Sequence, residues 1–412
     1  MSFDADGLEF PSLYLTRFAT SFGFMTVLTL LPTYIETLHA TGVTVGLFVA
    51  ALEVARTAGI VPLGWAGDRY DKRTVLVGSL ALSVVAYLAF GAVDTVPGFL
   101  GARLLQGLSL TGVGMLSLAL VGELSPADRR ANRIGRYNAA RMAAGIAGTL
   151  GAGALYHVFG FGVVFGLLGV VLAVATASVA LFVGADGTSV EGFAFADVAV
   201  NPKIATVTGF RAQYAVAVSL VRKWVPIFVG VSAASGGLGH GAVVVGAVLA
   251  AEKFTNMLCQ PFTGRLSDRH GRAVFLFFGG GAYGLVAMAF PFVRPLAAAG
   301  VALPVVGAVS GAVLAAAGLN ALLGVADAVR EPASMALFAD EGDGDGIASS
   351  FGVRSLVWKP GSVLAPLAGG WVMGTYGLDW VFFLGGAAAL SGVVTFFGLL
   401  ARQPGDGALT RW

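Results

Sequence analysis

Long apolar stretches dominate the chain, and short segments that carry charge, glycine or proline separate them. Each stretch is close to the ~20 residues that an α-helix needs to cross a bilayer. The pattern predicts twelve membrane-spanning helices in two sets of six. The predicted spans are residues 12–35, 42–64, 74–93, 97–121, 138–156 and 162–183, then 204–229, 240–262, 274–293, 311–336, 351–375 and 379–400. Residues 297–310 are also apolar, so the tenth helix either begins earlier or follows an outside helix.

The composition excludes a water-soluble fold. Of 412 residues, 57% are hydrophobic and 12% are charged, whereas a soluble globular protein carries about a quarter charged residues. Twelve helices leave only short loops, so no sizeable soluble domain fits beside them. The single cysteine, Cys259, excludes a disulfide framework and a thiolate metal cluster. We therefore expect an all-α membrane protein without a cofactor or a bound metal.

The basic residues orient the chain. With a cytoplasmic N-terminus, the outside loops contain Arg294 alone among basic residues, and the inside loops contain most of the others. Positive charges near helix ends stay cytoplasmic, so we expect both termini inside and a multi-pass protein of the plasma membrane. The first ten residues lack a basic region, which argues against a cleaved signal peptide.

The two sets of six spans share an internal repeat. Gly64, Asp68 and Arg69 recur as Gly264, Asp268 and Arg269 at an offset of 200. Arg103 and Gly107 align with Asn320 and Gly324 at an offset of 217, which also aligns the small residues of spans five and eleven. Duplication of a six-helix unit explains these matches. We expect bundles at 1–183 and 204–412, joined by a cytoplasmic linker at 184–203, with a midplane cavity between them.

The loop after span two and its second copy resemble the signature motif of the major facilitator superfamily. The resemblance covers essentially the whole chain, although Asp71 stands where the family has glycine. It implies the twelve-helix fold of two pseudo-symmetric bundles, a small-molecule substrate and a monomer in the lipid bilayer. It also implies a cytoplasmic gate that favours the outward-open state; plain positive-inside topology is the alternative for its basic residues. The gate residues are Gly64, Asp68, Arg69, Arg73, Gly264, Asp268, Arg269 and Arg272.

Small residues recur every fourth position on spans five and eleven, so each stripe shares one helix face. The stripes predict close packing between helices rather than contact with a ligand. The segment around Gly148 is similar to the fifth-helix motif of the antiporter branch, with Thr149 in place of proline. The packing residues are Ala144, Gly148, Ala152, Gly361, Ala365 and Gly369.

Charged and amide side chains deep within the spans are the candidates for function. A lone charge at the bilayer centre costs at least ~2.5 kcal/mol, so each needs a cavity or a partner. One interpretation is a set of ion pairs that tie helices together; the other is that Glu53, Asp327 or Glu331 takes up a proton. Arg103 either snorkels or takes part in coupling. The candidates are Glu53, Arg56, Arg103, Gln106, Arg222, Lys223, Glu252, Lys253, Asn256, Asn320, Asp327, Arg330 and Glu331.

Catalysis finds little support in the sequence. The four histidines lie in loops or at helix ends, and no phosphate-binding loop motif is present. We expect a transporter rather than an enzyme or a nucleic-acid-binding protein. The first hypothesis is proton-coupled efflux of amphipathic or drug-like solutes by alternating access. The alternatives are an organic-anion or phosphate-ester transporter, favoured by a small excess of deep positive charge, and a receptor or lipid scramblase that accumulates nothing.

Overall fold

The computed structural model describes residues 7–126, 129–185, 202–303, 307–340 and 347–401. Within them the chain forms eleven α-helices, two 3-10 helices at Ala233–Ser235 and Phe290–Ala298, and strands β1 (Gly300–Leu303) and β2 (Gly307–Ser310). The α-helices are α1 Glu9–Thr37, α2 Val43–Arg69, α3 Lys72–Gly91, α4 Val96–Glu123, α5 Arg130–Phe182, α6 Pro202–Gly230, α7 Ala242–His270, α8 Arg272–Ala289, α9 Gly311–Asp340, α10 Ile347–Tyr376 and α11 Leu378–Leu400.

Helix α5 contains two of the predicted spans. Gly160 has φ of 72°, a left-handed conformation that interrupts the helix between the predicted spans 138–156 and 162–183. Glycine adopts this conformation without the steric cost that a Cβ atom imposes. Within the described residues, nine helices are long and apolar enough to cross a membrane. The total of twelve spans remains a prediction.

The described residues of the apolar segment 297–310 belong neither to α9 nor to an additional α-helix, so the expectation of an α-helix was wrong for them. The strands β1 and β2 pair antiparallel, with Gly300 opposite Ser310 and Leu303 opposite Gly307. The segment Val301, Ala302, Leu303 is rich in small and β-branched residues, which suit a strand as well as a helix. Apolar composition alone does not separate the two structures in so short a segment.

The described chain divides into two compact units. Unit 1 comprises residues 1–40 and 47–193, and unit 2 comprises residues 41–46 and 194–412. In unit 1, helices α1, α3 and α4 pack against α5; in unit 2, α7 and α8 pack against α9, and α6 packs against α10 and α11. Nearly all of the predicted linker, 184–203, lies outside the described residues.

Large apolar side chains cover much of the outer surface. Leu181, Phe262, Phe278 and Val394 are each more than half exposed. Exposed apolar area on this scale is unfavourable in water and suits the hydrocarbon core of a bilayer. Seven of the polar candidates are buried, namely Glu53, Arg103, Gln106, Glu252, Asn320, Asp327 and Arg330, and the other six are half-buried.

Candidate functional site

Three helices of unit 2 bring charged side chains to one point. Arg222 of α6 donates from Nη2 to Glu252 Oε1 of α7 at 2.6 Å, and the same nitrogen donates to Asp327 Oδ2 of α9. Of the adjacent pair Arg222 and Lys223, Arg222 makes these contacts. One guanidinium group therefore ties α7 and α9 to α6. Loss of either partner leaves a buried charge without full compensation.

Further cations complete this cluster. Arg330 donates to Asp327 Oδ1 at 2.9 Å and to Glu331 Oε2 at 2.6 Å. Lys253 Nζ lies 2.6 Å from Glu252 Oε2. We call Arg222, Glu252, Lys253, Asp327, Arg330 and Glu331 the unit 2 charge cluster. Asp327, Arg330 and Glu331 lie within about one turn of α9, and this spacing predicts from the sequence alone that they share a helix face.

Two tyrosines belong to this site that the sequence pattern did not single out. Tyr214 of α6 donates from its hydroxyl to Asp327 Oδ1 at 3.4 Å, and its ring centroid lies 4.0 Å from the Arg330 guanidinium carbon. Tyr283 of α8 packs against Tyr214 at 5.2 Å between ring centroids. The signal in the sequence is weak, because each tyrosine is an amphipathic residue inside a long apolar run, where aromatic residues usually serve as core.

Unit 1 holds a different polar network around Arg103. Arg103 Nε donates to the Phe48 carbonyl of α2 at 3.0 Å, and Nη1 donates to Gln106 Oε1 at 2.9 Å. Gln106 Nε2 in turn donates to the Tyr87 hydroxyl of α3 at 2.9 Å. Arg103 is only 2% exposed. The alternative that Arg103 snorkels to the membrane surface is therefore wrong.

Glu53 and Arg56 form the second polar feature of unit 1. Arg56 Nη1 lies 3.3 Å from Glu53 Oε1, as the three-residue spacing on α2 allows. Thr111 of α4 donates to the Arg56 carbonyl at 3.1 Å, which holds the same turn of α2 against α4. The pair therefore lies at a tight contact between two helices.

The internal repeat reappears as matched contacts in the two units. Asn320, the counterpart of Arg103, donates from Nδ2 to the Val248 carbonyl at 2.7 Å, and Val248 lies 200 residues after Phe48. Asn256 Nδ2 donates to the carbonyl of Gly324 at 3.2 Å. Each unit thus uses a polar side chain to join equivalent helices, with a cation in one and a neutral amide in the other.

The loop motif begins a helix differently in its two copies. The Asp71 side chain accepts from the Arg73 backbone N–H at 3.2 Å and caps α3. Gly271, at the equivalent position before α8, has φ of 92°. Asp71 stands where the family has glycine, and its side chain caps the helix in the first copy; in the second copy, glycine begins the helix from a left-handed conformation.

The gate residues lie at these helix ends. Arg73 donates to the Ala180 carbonyl of α5, and Arg272 Nη2 lies 3.6 Å from Asp268 Oδ1. Asp68 and Arg69 are exposed, as are Asp268 and Arg269 in the second copy. Gly64 and Gly264 are half-buried on the preceding turn. The gating role itself remains a prediction.

The small-residue stripes lie in helix contacts within each unit. A Cβ atom on Gly148 of α5 would lie 2.8 Å from the Phe22 carbonyl oxygen of α1, and one on Gly361 of α10 would lie 2.9 Å from Ala215 Cβ of α6. Ala144, Ala152 and Ala365 are buried, and Gly369 faces Trp224. Thr149 Oγ1 donates only to carbonyls of its preceding turn, at 3.1 and 2.9 Å. These residues pack helices together.

A bundle of apolar helices with charge clusters buried in each unit defines a multi-pass membrane transporter. Residues 13–322 match the family described as the Major Facilitator Superfamily, and the chain belongs to that superfamily. Its members are transporters and not enzymes, and they bind small-molecule substrates. The chain therefore has the all-α fold of this superfamily.

Individual relatives agree with this assignment. An MFS-type transporter of Methanocaldococcus jannaschii is 28% identical over 39% of this chain and 43% of its own length, so the chain matches less than half of that relative. The multi-drug resistance efflux pump PmrA homolog of Lactococcus lactis is 25% identical over 85% of this chain and 84% of its own length.

Solved structures show the same fold. The nucleoside transporter NupG superposes with a TM-score of 0.71 at 14% identity, covering 95% of this chain and 99% of its own. A bacterial homolog of the human lysosomal transporter Spinster, inward-facing and unoccupied, gives 0.68 at 14% identity, covering 97% and 96%. At these identities the likeness concerns the fold alone.

Proposed function

We propose that this protein exports an amphipathic organic solute across the plasma membrane by alternating access and that the proton gradient drives the export. The observation that carries the proposal is the unit 2 charge cluster, where Arg222 joins carboxylates from two other helices. Apolar spans rarely retain charge without a role in transport or coupling. Arg222, Glu252 and Asp327 lie on three different helices, and one proton taken up by a carboxylate weakens the ion pairs that join those helices.

A proton changes the helix contacts of this cluster through Asp327. The ionised Asp327 holds Arg222 of α6 and Arg330 of its own helix. When a proton neutralises the carboxyl group, the attraction between opposite charges is lost, and the two arginines keep only hydrogen bonds from a charged donor to a neutral acceptor. Arg222 is then held chiefly by Glu252 of α7. Gain and loss of the proton therefore alter how strongly α6 is joined to α9, and this is the step that we propose to drive alternation.

Export rather than uptake is supported by the relative that covers most of the chain, which is named as a multi-drug efflux pump. The loop around Asp68 and the fourth-helix segment from Arg103 to Gly107 resemble motifs of drug–proton antiporters, which points in the same direction. At the cytoplasmic side, Asp68 and Arg69 are the exposed residues that we assign to the gate.

Purified protein in liposomes tests this function. We expect an imposed pH gradient to drive movement of amphipathic solutes in a panel with anionic, zwitterionic and cationic members, and a protonophore to stop it. Both polarities of the gradient are applied, so that movement with the proton and movement against it are separated. Absence of gradient-dependent movement for every solute, with protein shown to be folded after reconstitution, would overturn the proposal.

A further inference from the structure

Two cations of the unit 2 charge cluster, Arg222 and Lys253, are partly exposed, whereas Arg330 and the two carboxylates Glu252 and Asp327 are buried. The Arg222 side chain is 34% exposed, whereas Glu252 and Asp327, its two partners, are 5% and 6% exposed. Lys253, on the other oxygen of Glu252, is 25% exposed. A molecule that reaches this part of unit 2 therefore meets a guanidinium and an ammonium group before it meets Glu252 or Asp327.

The two buried carboxylates have no oxygen left without a partner. Glu252 receives Arg222 on Oε1 and Lys253 on Oε2. Asp327 receives Arg330 on Oδ1 and Arg222 on Oδ2. A cationic head group would have to displace one of these partners, and the displaced cation would lose a strong interaction in a poorly hydrated place.

One donor in the same place, in contrast, has no acceptor within the described part of the chain. Arg330 Nη1 is buried and has no hydrogen-bond partner among the residues that the structure describes. Glu331 is the more exposed carboxylate, at 27%, and Arg330 already holds it at 2.6 Å. An incoming group that accepts hydrogen bonds completes this cluster, whereas one that only donates does not.

We infer that Arg222 and Lys253 form a binding site for the anionic head group of an amphipathic solute, a carboxylate or a phosphate ester. The inference rests on the proposed function, because the bound molecule is taken to be the transported solute. Arg222 and Lys253 flank a single carboxylate group, so their charged ends lie close enough to share one head group. The planar fork of Arg222 suits two oxygens of such a group.

Matched naphthalene probes test the inference by equilibrium binding. Isothermal titration of the full-length protein in uncharged detergent at pH 7 compares 2-naphthoate, 2-naphthyl phosphate, neutral 2-naphthylmethanol and 2-naphthylmethylammonium. We expect at least one of the two anions to bind about tenfold more tightly than the alcohol and the ammonium, as one charge-assisted hydrogen bond provides. The two anions compared with each other separate a carboxylate site from a phosphate site.

Two variants locate the site. Arg222→Gln combined with Glu252→Gln removes one charge of each sign, which keeps the cluster neutral and limits misfolding; anion affinity should fall to that of the alcohol. Arg222→Lys retains the charge without the fork and should keep part of the preference. The matched control, Arg136→Gln with Asp94→Asn, removes one charge of each sign at exposed positions of unit 1 and should change nothing.

The inference is overturned when the ammonium probe binds as tightly as the anions, when neither anion binds the folded protein more tightly than the alcohol, or when the double variant keeps the preference. Because the titration needs no gradient, its failure leaves gradient-driven transport intact. Conversely, anion binding without driven transport would contradict the proposed function and support the site.

Discussion

Arg222 and Asp327 form a direct ion pair between α6 and α9, although 105 residues separate them in the chain. The pair does not stand alone, since Arg222 also holds Glu252 of α7. Truncating one member of such a buried set leaves both a cavity and uncompensated charges, whereas neutralising it with a side chain of the same shape preserves the packing and changes only the charge. The two kinds of change therefore separate the structural contribution of the cluster from its part in coupling.

We predict that Asp327→Asn abolishes gradient-driven transport and leaves exchange of solute between the two sides of the membrane. The amide has the shape of the carboxyl group but does not take up a proton. The protein can therefore still alternate between its two states with solute bound, without coupling to protons. Liposomes loaded with labelled solute measure exchange, and an imposed pH gradient measures driven transport. Asp94→Asn, at an exposed position between α3 and α4, is the matched control. Undiminished driven transport in Asp327→Asn would refute this role.

Gly107 and Gly324 offer a paired test of the repeat. A Cβ atom at Gly107 would lie 2.3 Å from the Leu52 carbonyl oxygen, and one at Gly324 would lie 2.3 Å from the Glu252 carbonyl oxygen. We predict that alanine at either position lowers stability by about 1–3 kcal/mol through overpacking. Thermal unfolding in detergent measures the change.

The same helices provide controls for this prediction. A Cβ atom added at Gly101 of α4 or at Gly318 of α9 would meet nothing within 4 Å among the residues that the structure describes. Alanine there should be neutral or should stabilise by up to ~1 kcal/mol, because it has the higher helix propensity. Equal loss at all four positions would show that close helix approach is not what selects glycine at Gly107 and Gly324.

Arg103 allows packing and function to be told apart. Arg103→Met removes the donor to the Phe48 carbonyl and orphans Gln106 Oε1, which costs about 1–3 kcal/mol, but it also removes a buried charge whose desolvation costs several kcal/mol. The desolvation effect is the larger, so we predict that the variant is at least as stable as the wild-type protein and inactive in transport. The exposed Arg136→Met serves as control. A clear fall in the melting temperature of Arg103→Met would instead make Arg103 a structural residue.

Much of this architecture follows from the sequence, because helix spans depend on long apolar runs that are visible without a structure. The pairing of Arg56 with Glu53, and of Arg330 with Asp327, follows from the three-residue spacing along one helix. The link from Arg222 to Glu252 and Asp327 does not, since it depends on how three helices pack.

The features that the sequence did not predict have physical causes as well. The position of Arg103 along its span predicts its depth in the membrane. It does not predict that the side chain faces α2 and donates to the Phe48 carbonyl. Tyr214 and Tyr283 do not stand out because aromatic residues inside apolar runs usually serve as core. The strands Gly300–Leu303 and Gly307–Ser310 were not predicted because strand pairing is a contact between two segments, and the apolar composition of one segment does not show it.

His240 provides a prediction about pH. It lies in the connection between α6 and α7, and partial burial holds the pKa of its imidazole below the ordinary value. The neutral form is thus favoured in the folded protein, so its contribution to stability is present above pH ~6.5 and is lost as the pH falls below that value. We predict that His240→Gln reduces the loss of thermal stability between pH 7 and pH 5. Transport should keep its pH profile in this variant, since we assign coupling to carboxylates; a shifted profile would contradict that assignment.

Arg294 and Asp379 predict an order of stability among variants. Arg294 contacts both oxygens of Asp379 at 2.6 Å, donates to the Gly236 carbonyl, and lies 5.1 Å from the ring centroid of Phe228. Asp379→Asn weakens only the ion pair, which is about one third exposed and therefore contributes no more than about 1 kcal/mol.

Arg294→Gln removes all three contacts and leaves the Gly236 carbonyl without this donor, so we predict a larger loss of about 1–3 kcal/mol. Arg294→Lys, which keeps the charge but loses the fork, should fall between the two. Thermal unfolding at low and high salt measures the series, and only the ion-pair part should weaken with salt. Equal losses in Asp379→Asn and Arg294→Gln would mean that the carbonyl and ring contacts of Arg294 add nothing to the stability that its ion pair provides.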